Sequence, residues 1–394
     1  MKFLVLGFLI LGSPFLLASK NAQLRENLYE QARYSILKRE HLKSLFFSPF
    51  QQQIYVDALW DLAEEKEPSA IEVLEEESFF HFDLEERFRL ELISLKATGK
   101  KLSKTLINEV YGRFHANEAS LRLIYLIASY ESEILKEKLS DLVELAKQDE
   151  RYGNVIKKGA LESPQALKDL LGHDPQVEGL RTYLLCRSNR LYSCLMLLKD
   201  ENHEFVKNKD GSIWVHQGLA LSSRGLPSHQ RNGNTPAGIW KINSVMPEAN
   251  EQLSFGKFRR LIMEFIPASQ DEEELKKYLP ESSHHLHWWY PSVVARDVGR
   301  NDFRIHGSGK INKDPTSSFY PFIRTAGCIA QRENTYKGVT YKDQRLLLDK
   351  MMEALNLEVT FPNETLIKGT LYVIEIDDEK SPVTLAELQE KGIL

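Results

Sequence analysis

From about residue 22 to 180, apolar residues recur at three- and four-residue spacing between long Glu/Lys-rich stretches with few glycines, the period of amphipathic helices. Leu139, Leu142, Val143, Leu145 and Ala146 form one such stripe. Three short motifs echo one another at offsets of 33 and 31: Leu59-Trp60-Asp61-Leu62, Leu92-Ile93-Ser94-Leu95 and Leu123-Ile124-Tyr125-Leu126. A polar break follows each (Glu64 to Pro68, Thr98 to Lys101, Ser129 to Ser132), and then a second helical stretch. This predicts an all-α domain of stacked helical hairpins, solenoid-like, with an ordinary helical bundle as the alternative. The runs Glu75-Glu76-Glu77 and Glu272-Glu273-Glu274 are expected to be solvated helix faces.

The texture changes after Gly172-His173-Asp174-Pro175. Tyr192 to Leu198 and Ile213-Trp214-Val215 are predicted strands, Arg231-Asn232-Gly233-Asn234 a turn, and Gly238 to Ile242 alternates like a half-buried strand. Phe303 to His306, Leu357 to Thr360 and Thr370 to Ile376 repeat that habit. One helix interrupts them, Asp343 to Leu355, with Leu346, Leu347, Met351, Met352 and Leu355 near helical spacing. The fold expected is therefore multidomain: a helical domain over residues 20–180, then a mainly β domain over 181–394 with one or two helices.

The first residues set the compartment. Met1-Lys2 precedes an apolar run from Phe3 to Leu11, then Gly12, Ser13 and Pro14, then Leu16-Leu17-Ala18-Ser19. That is the pattern of a secretory signal peptide over residues 1–19, cleaved near Ala18 or Ala22, and it predicts a periplasmic or secreted chain. No later apolar run is long enough for a membrane span. The 394 residues are 42% hydrophobic and 27% charged, which fits a globular chain of two or three domains. Lys+Arg number 51 and Asp+Glu 56, so no basic field invites nucleic acid.

An exported chain with three cysteines holds a bridge plus a free thiol, or three free thiols. Cys186 and Cys194, eight apart around Arg187-Ser188-Asn189-Arg190, are the pair placed to bridge, with two small buried side chains as the alternative. Cys328 is then left over. It lies in Thr325-Ala326-Gly327-Cys328-Ile329, 22 residues after the histidine of Arg304-Ile305-His306-Gly307-Ser308-Gly309. An imidazole brought to a thiol takes its proton, and the thiolate attacks a carbonyl. A neighbouring glycine lets backbone amides approach the developing oxyanion. The bland readings are a strand-end histidine and a buried small thiol.

These blocks resemble the catalytic domain of the L,D-transpeptidases, the YkuD-like fold, over roughly residues 190 to 378. Its signature is an upstream His-Gly or His-Ser followed by Ser/Thr-His-Gly-Cys, and Thr235-Pro236-Ala237-Gly238-Ile239-Trp240 looks like the family's Thr-Pro-x-Gly segment, in the family's order. Two positions depart: Ala326 stands where the family has a second histidine, and Ala330 where it commonly has Arg or Asn. The resemblance implies a β-sandwich or barrel with a Cys328 nucleophile and a His306 base, the imidazole oriented by the Gly307 carbonyl or by Ser308. It implies oxyanion donors at Cys328, Gly327 and Ala326. Arg324, Thr325 or Arg332 would contact a substrate carboxylate. The reaction implied is attack on the diaminopimelate to D-alanine bond of peptidoglycan stem tetrapeptides through a thioester, with no cofactor and no metal. A stem amine as acceptor gives a 3-3 crosslink, water gives carboxypeptidase trimming, and a free D-amino acid gives exchange.

Trp288 and Tyr290, in Trp288-Trp289-Tyr290-Pro291, are candidates for a cleft wall contacting glycan or peptide, with core packing as the alternative. His284-His285-Leu286-His287 lacks an acidic or Cys partner at a recognised spacing and is expected on a polar loop, and Gln270 to Lys277 is expected to be an inserted helix. The departure at Ala326 keeps a second class of function open, a catalytically impaired wall-binding or scaffold protein. In either case the helical domain is a candidate surface for a protein partner.

Overall fold

The computed structural model describes residues 27–39, 48–76, 82–99, 102–120, 123–124, 126–127, 133–149, 163–175, 177–248, 252–266 and 273–394. The signal-peptide segment with Ala18 and Ala22 lies outside the described residues, as do Glu77, 100–101, Tyr125, 129–132 and 270–272. The chain divides into two compact units, Met1–Ala119 and Ser120–Leu394.

Among the described residues of the first unit, 27–38 are helical, and four helices follow: α1 (Pro49–Glu64), α2 (Pro68–Glu76), α3 (Leu84–Thr98) and α4 (Lys104–His115). Local signals fix their ends. The Ser48 hydroxyl accepts from the Gln51 amide while the Gln51 side chain accepts from the Ser48 amide, a capping box, and α3 stops at Gly99 with φ of 74°. Helix α1 packs on α2 and α3, α2 on α3, and α3 on α4. The first two echo motifs are inward stripes: Leu59, Trp60, Leu62, Leu92, Ile93 and Leu95 are all buried. Arg89 is also buried, bonded to Glu86 at 2.8 Å and to Asp57 at 3.4 Å beside the Trp60 ring.

The second unit begins with helical segments, including α5 (Glu133–Lys147) and α6 (Pro164–Gly172), and carries the third echo, whose Leu123, Ile124 and Leu126 are buried. The expected domain boundary at residue 180 lies inside this second unit. Helix α6 packs Leu167, Leu170 and Leu171 into the same cluster as Tyr183, Leu185 and Tyr372 of the sheet, so it folds with the β structure.

Among the described residues ten strands follow: β1 (Leu180–Arg187), β2 (Cys194–Lys199), β3 (Val215–Gly218), β4 (Gly238–Val245), β5 (Leu261–Phe265), β6 (Arg304–His306), β7 (Ile329–Ala330), β8 (Glu333–Tyr336), β9 (Val339–Lys342) and β10 (Lys368–Asp377). Eight make one mixed sheet in the order β3-β2-β1-β10-β4-β5-β6-β7, while β8 and β9 form a separate hairpin. Strand pairs β1/β10 and β6/β7 are parallel and the other ladders antiparallel. Leu219, just past β3, exchanges both backbone hydrogen bonds with Ala330 of β7, so the two edges of the sheet meet and the sheet is nearly closed. The fold is α+β with a barrel-like part.

Both faces of the central strands are covered, which is why β1 is buried at every position. One core contains Leu184, Met196, Trp240, Ile305 and Ile329 together with Leu347, Leu348, Met351 and Met352 of helix α8 (Asp343–Ala354). The other contains Tyr183, Leu197, Ile239 and Ile374 with α6, Trp288, Trp289 and Val293. Cys186 and Cys194, one step beyond the Leu185/Leu195 pair, are bridged. Residues 357–360, an expected strand, form none: Val359 is 45% exposed, and the segment runs straight from α8 into a short 3-10 turn without a pairing strand.

Candidate active site

The site is built on two short strands. In the parallel β6/β7 ladder Ile305 pairs with Ile329 and His306 with Ala330. Alternation then places Arg304, His306 and the Cys328 that precedes β7 on the face opposite the buried Ile305 and Ile329. By that register Cys328 stands beside Arg304, and His306 is its diagonal neighbour. The strands thus bring together two residues 22 apart in sequence.

The imidazole is buried, with an edge contact to Phe255 at 5.2 Å between ring centroids. Its Nδ1 donates to the Gly307 carbonyl at 2.5 Å, which leaves Nε2 as the basic nitrogen. Ser308 does not orient it. That hydroxyl donates to the Leu253 carbonyl at 3.3 Å and accepts from the Lys310 amide at 3.1 Å. Burial lowers the His306 pKa to about 4, the Gly307 contact opposing and Arg260 and Arg304 adding to the shift, so the ring is neutral at physiological pH.

Cys328 is free and partly exposed. Its thiol faces the Asp302 carbonyl at 3.8 Å, so the expected thiol–imidazole hydrogen bond is not made in this arrangement. Burial pushes the thiol pKa up, while Arg304 pulls it down most strongly, by charge and through its backbone, followed by Arg300 and Arg260.

The turn before Cys328 is stitched tightly. Thr325 Oγ1 donates to the Cys328 carbonyl at 2.6 Å and accepts from the Gly327 amide at 3.3 Å, so that amide, expected as an oxyanion donor, is already engaged. Gly327 has φ of +115°, and a Cβ there would come within 2.3 Å of Arg300 Nη2 and 2.7 Å of the Gly233 carbonyl. Ala326 is exposed. Thr235 donates to the Gly327 carbonyl at 2.9 Å, which ties the Thr-Pro segment to the cysteine turn across 92 residues.

The other expected site residues lie elsewhere. Trp288 is 1% exposed inside the core containing α6, and Tyr290 packs against that core at the start of helix α7 (Tyr290–Asp297). Their large apolar rings fill the face between that helix and the sheet, which corrects the cleft-wall reading. Arg332 is committed to Asp343, Nε to Oδ2 at 2.5 Å, and lies over Tyr341. Arg324 is exposed with its guanidinium over Phe319. A cavity of about 410 Å³ lined by His216, Arg332, Asp343 and Leu346, among others, does not include Cys328 or His306.

Three further residues support the pair. Arg300 donates to the carbonyls of Ser228, Asn234 (2.9 Å) and Gly233 (3.0 Å). Glu333 is 4% exposed and wedged where Cβ atoms on Gly256 or Gly307 would collide with it, one oxygen accepting from the Lys257 amide at 2.9 Å; burial raises its pKa. Arg304 is the third. The sequence marks none of these roles, except that glycines at 307 and 327 flag places where something must approach closely.

Asp377, Glu379 and Glu387 bring carboxylate oxygens within 4.8 Å of one another, but Arg187 and Lys391 sit among them, so the cluster is an ion-pair network tying β1 and β10 to the C-terminal helix α9 (Leu385–Glu390). Among the described residues no helix is long and apolar enough to cross a membrane. No protein-family model, curated protein or solved structure matches the chain.

Proposed function

We propose that this chain is a cysteine acyltransferase of the L,D-transpeptidase kind, exported to the cell wall, with a YkuD-like arrangement of its second unit. The observation that carries the reading is the free Cys328 thiol on the same strand face as His306, whose Nδ1–H is fixed by the Gly307 carbonyl. The substrate class follows from the resemblance of the Thr-Pro, His-Gly and Gly-Cys blocks, and the Thr235 to Gly327 bond gives the first of these blocks a reason to accompany the last.

In the first half-reaction the sulfur forms a bond to the carbonyl carbon of the stem peptide, the thiol proton having left, and the C–N bond to D-alanine breaks. The departing amine takes up a proton from solvent, in place of the one the thiol released there. In the second half-reaction an acceptor amine, or water, loses a proton to His306 Nε2 and attacks the thioester, and the sulfur leaves. The carbonyl oxygen's negative charge would be received by the backbone N–H groups of Cys328 and Ala326, the Gly327 amide being engaged by Thr325. A stem amine or free D-amino acid makes the chain a transpeptidase, and water makes it an L,D-carboxypeptidase.

The test is incubation of the purified chain with intact peptidoglycan beside a Cys328→Ala control, followed by mass spectrometry of the muropeptides. The expected outcome is Cys328-dependent loss of terminal D-alanine, new 3-3 dimers or D-amino acid exchange. Identical muropeptide patterns from both proteins would favour the scaffold reading prompted by Ala326, with a protein partner on the helical unit.

A further inference from the structure

Arg300 presents an unusual balance of charge. It leaves helix α7 through the turn at Gly299 and spends its donors on three backbone carbonyls of residues 228–234. Among the described residues no carboxylate pairs with it. A half-buried guanidinium whose donors go to neutral carbonyls, with the Phe303 ring 4.5 Å away, gains from a negative charge formed nearby. The Cys328 thiol is placed to supply that charge: a Cβ on Gly327, the residue before it, would collide with Arg300 Nη2, and an ionised Cys328 favours the charged form of Arg300 against its burial. Arg304 is the register partner of Cys328 on β6, its guanidinium donating to the Phe303 carbonyl at 2.7 Å and lying 3.4 Å from Asp302, and its charge and amide both favour the thiolate. Arg260, buried and stacked on Phe255, is the third cation of the group.

The same cations act oppositely on the imidazole. Arg260 and Arg304 both disfavour a protonated His306. A thiolate–imidazolium pair, in which the ring keeps the thiol proton, is therefore opposed by the charges that favour the thiolate.

Building on the acyltransferase reading, we propose that Arg304 and Arg300 are the positioning residues that favour ionisation of Cys328 to the reactive thiolate against its burial, the thiol proton passing to solvent while His306 stays neutral. His306 is then free to take the acceptor's proton in the second half-reaction.

The experiment titrates Cys328 directly. Because Cys186 and Cys194 are bridged, iodoacetamide labelling of the native full chain reads one thiol. The pH midpoint of the labelling rate is measured for wild type, Arg304→Gln, Arg304→Lys, Arg300→Gln and His306→Ala, each first checked for native circular dichroism. The midpoint is expected to rise by about one pH unit in each Gln variant, to return close to wild type in Arg304→Lys, and to stay put or fall in His306→Ala. Unchanged midpoints in the Gln variants, or a rise in His306→Ala, would overturn the proposal. If Arg300→Gln fails the folding check because its three carbonyls lose their donor, Arg304→Gln and Arg304→Lys still decide. Labelling needs no substrate, so a wild-type protein that leaves peptidoglycan untouched would count against the enzymatic reading while the thiol titration stays interpretable.

Discussion

The state of His306 sets the expected response to pH. With its folded pKa lowered to about 4, the ring is neutral above pH 5 and adds no break near its ordinary value of 6.5. The raised thiol of Cys328 ionises above neutrality, so the thiolate fraction climbs about tenfold per pH unit below its midpoint. If the thiolate with neutral imidazole reacts, peptidoglycan turnover should rise with unit slope in log rate between about pH 5.5 and 8. An imidazolium–thiolate reactive pair carries the same number of protons as the resting neutral pair and would give a flat profile there. Cys328 and His306 were legible in sequence because a leftover cysteine and a His-Gly block are local features. Arg300 and Glu333 were not, since each takes its meaning from chain that returns from elsewhere: the carbonyls at 228–234 for one, Gly256 and Gly307 for the other. Trp288 was misleading for a related reason, because an aromatic run in a polar stretch looks the same whether its rings face a cleft or a core.

At the scale of elements, the two-residue strand β7 depends on what braces it. Leu219 closes the ladder on one side, His306 pairs on the other, and Thr235 and Thr325 pin the turn before it. Gly327→Ala should therefore do more than strain one residue. Its φ of +115° is unfavourable for any side chain, and the added methyl has no room between Arg300 and the Gly233 carbonyl. Loss of about 2–4 kcal/mol in denaturant unfolding of the second unit is expected, with altered Cys328 labelling. Gly225→Ala is the control: φ is +60° with nothing within 4 Å of the added carbon, and about 1–2 kcal/mol is expected. Equal costs would mean that the packing behind Gly327 does not matter. Strands with a half-buried alternation (β4) or an apolar run bounded by turns (β2, β10) were legible, as was α8, predicted to residue 355 and ending at Ala354. β1 was missed. Its run Leu180 to Arg187 is buried on both faces and lacks alternation, and it follows directly on a helical stretch.

For the molecule as a whole, the division at Ala119/Ser120 makes a thermodynamic claim, since each unit has its own core and its own ion cluster. In the first, Arg89 is bonded to both Asp57 and Glu86, all three side chains being under 5% exposed. In the second, Arg187 gathers Asp377 and Glu387. Removing one partner from a buried ion pair costs about 3–5 kcal/mol. Calorimetry of the full chain should accordingly resolve two transitions. Arg89→Leu should lower the midpoint of one by about 10 °C or more and leave the other within error, because a unit of that size has little melting entropy to absorb the loss. Cys328 identifies the transitions independently: rapid, complete alkylation should accompany the unmoved one, the thiol being part of the Ser120–Leu394 unit. A single transition that Arg89→Leu shifts as a whole, with thiol exposure moving in step, would show that the helical unit and the unit carrying the candidate site unfold together. A substitution far from Cys328 would then reach the site through stability alone.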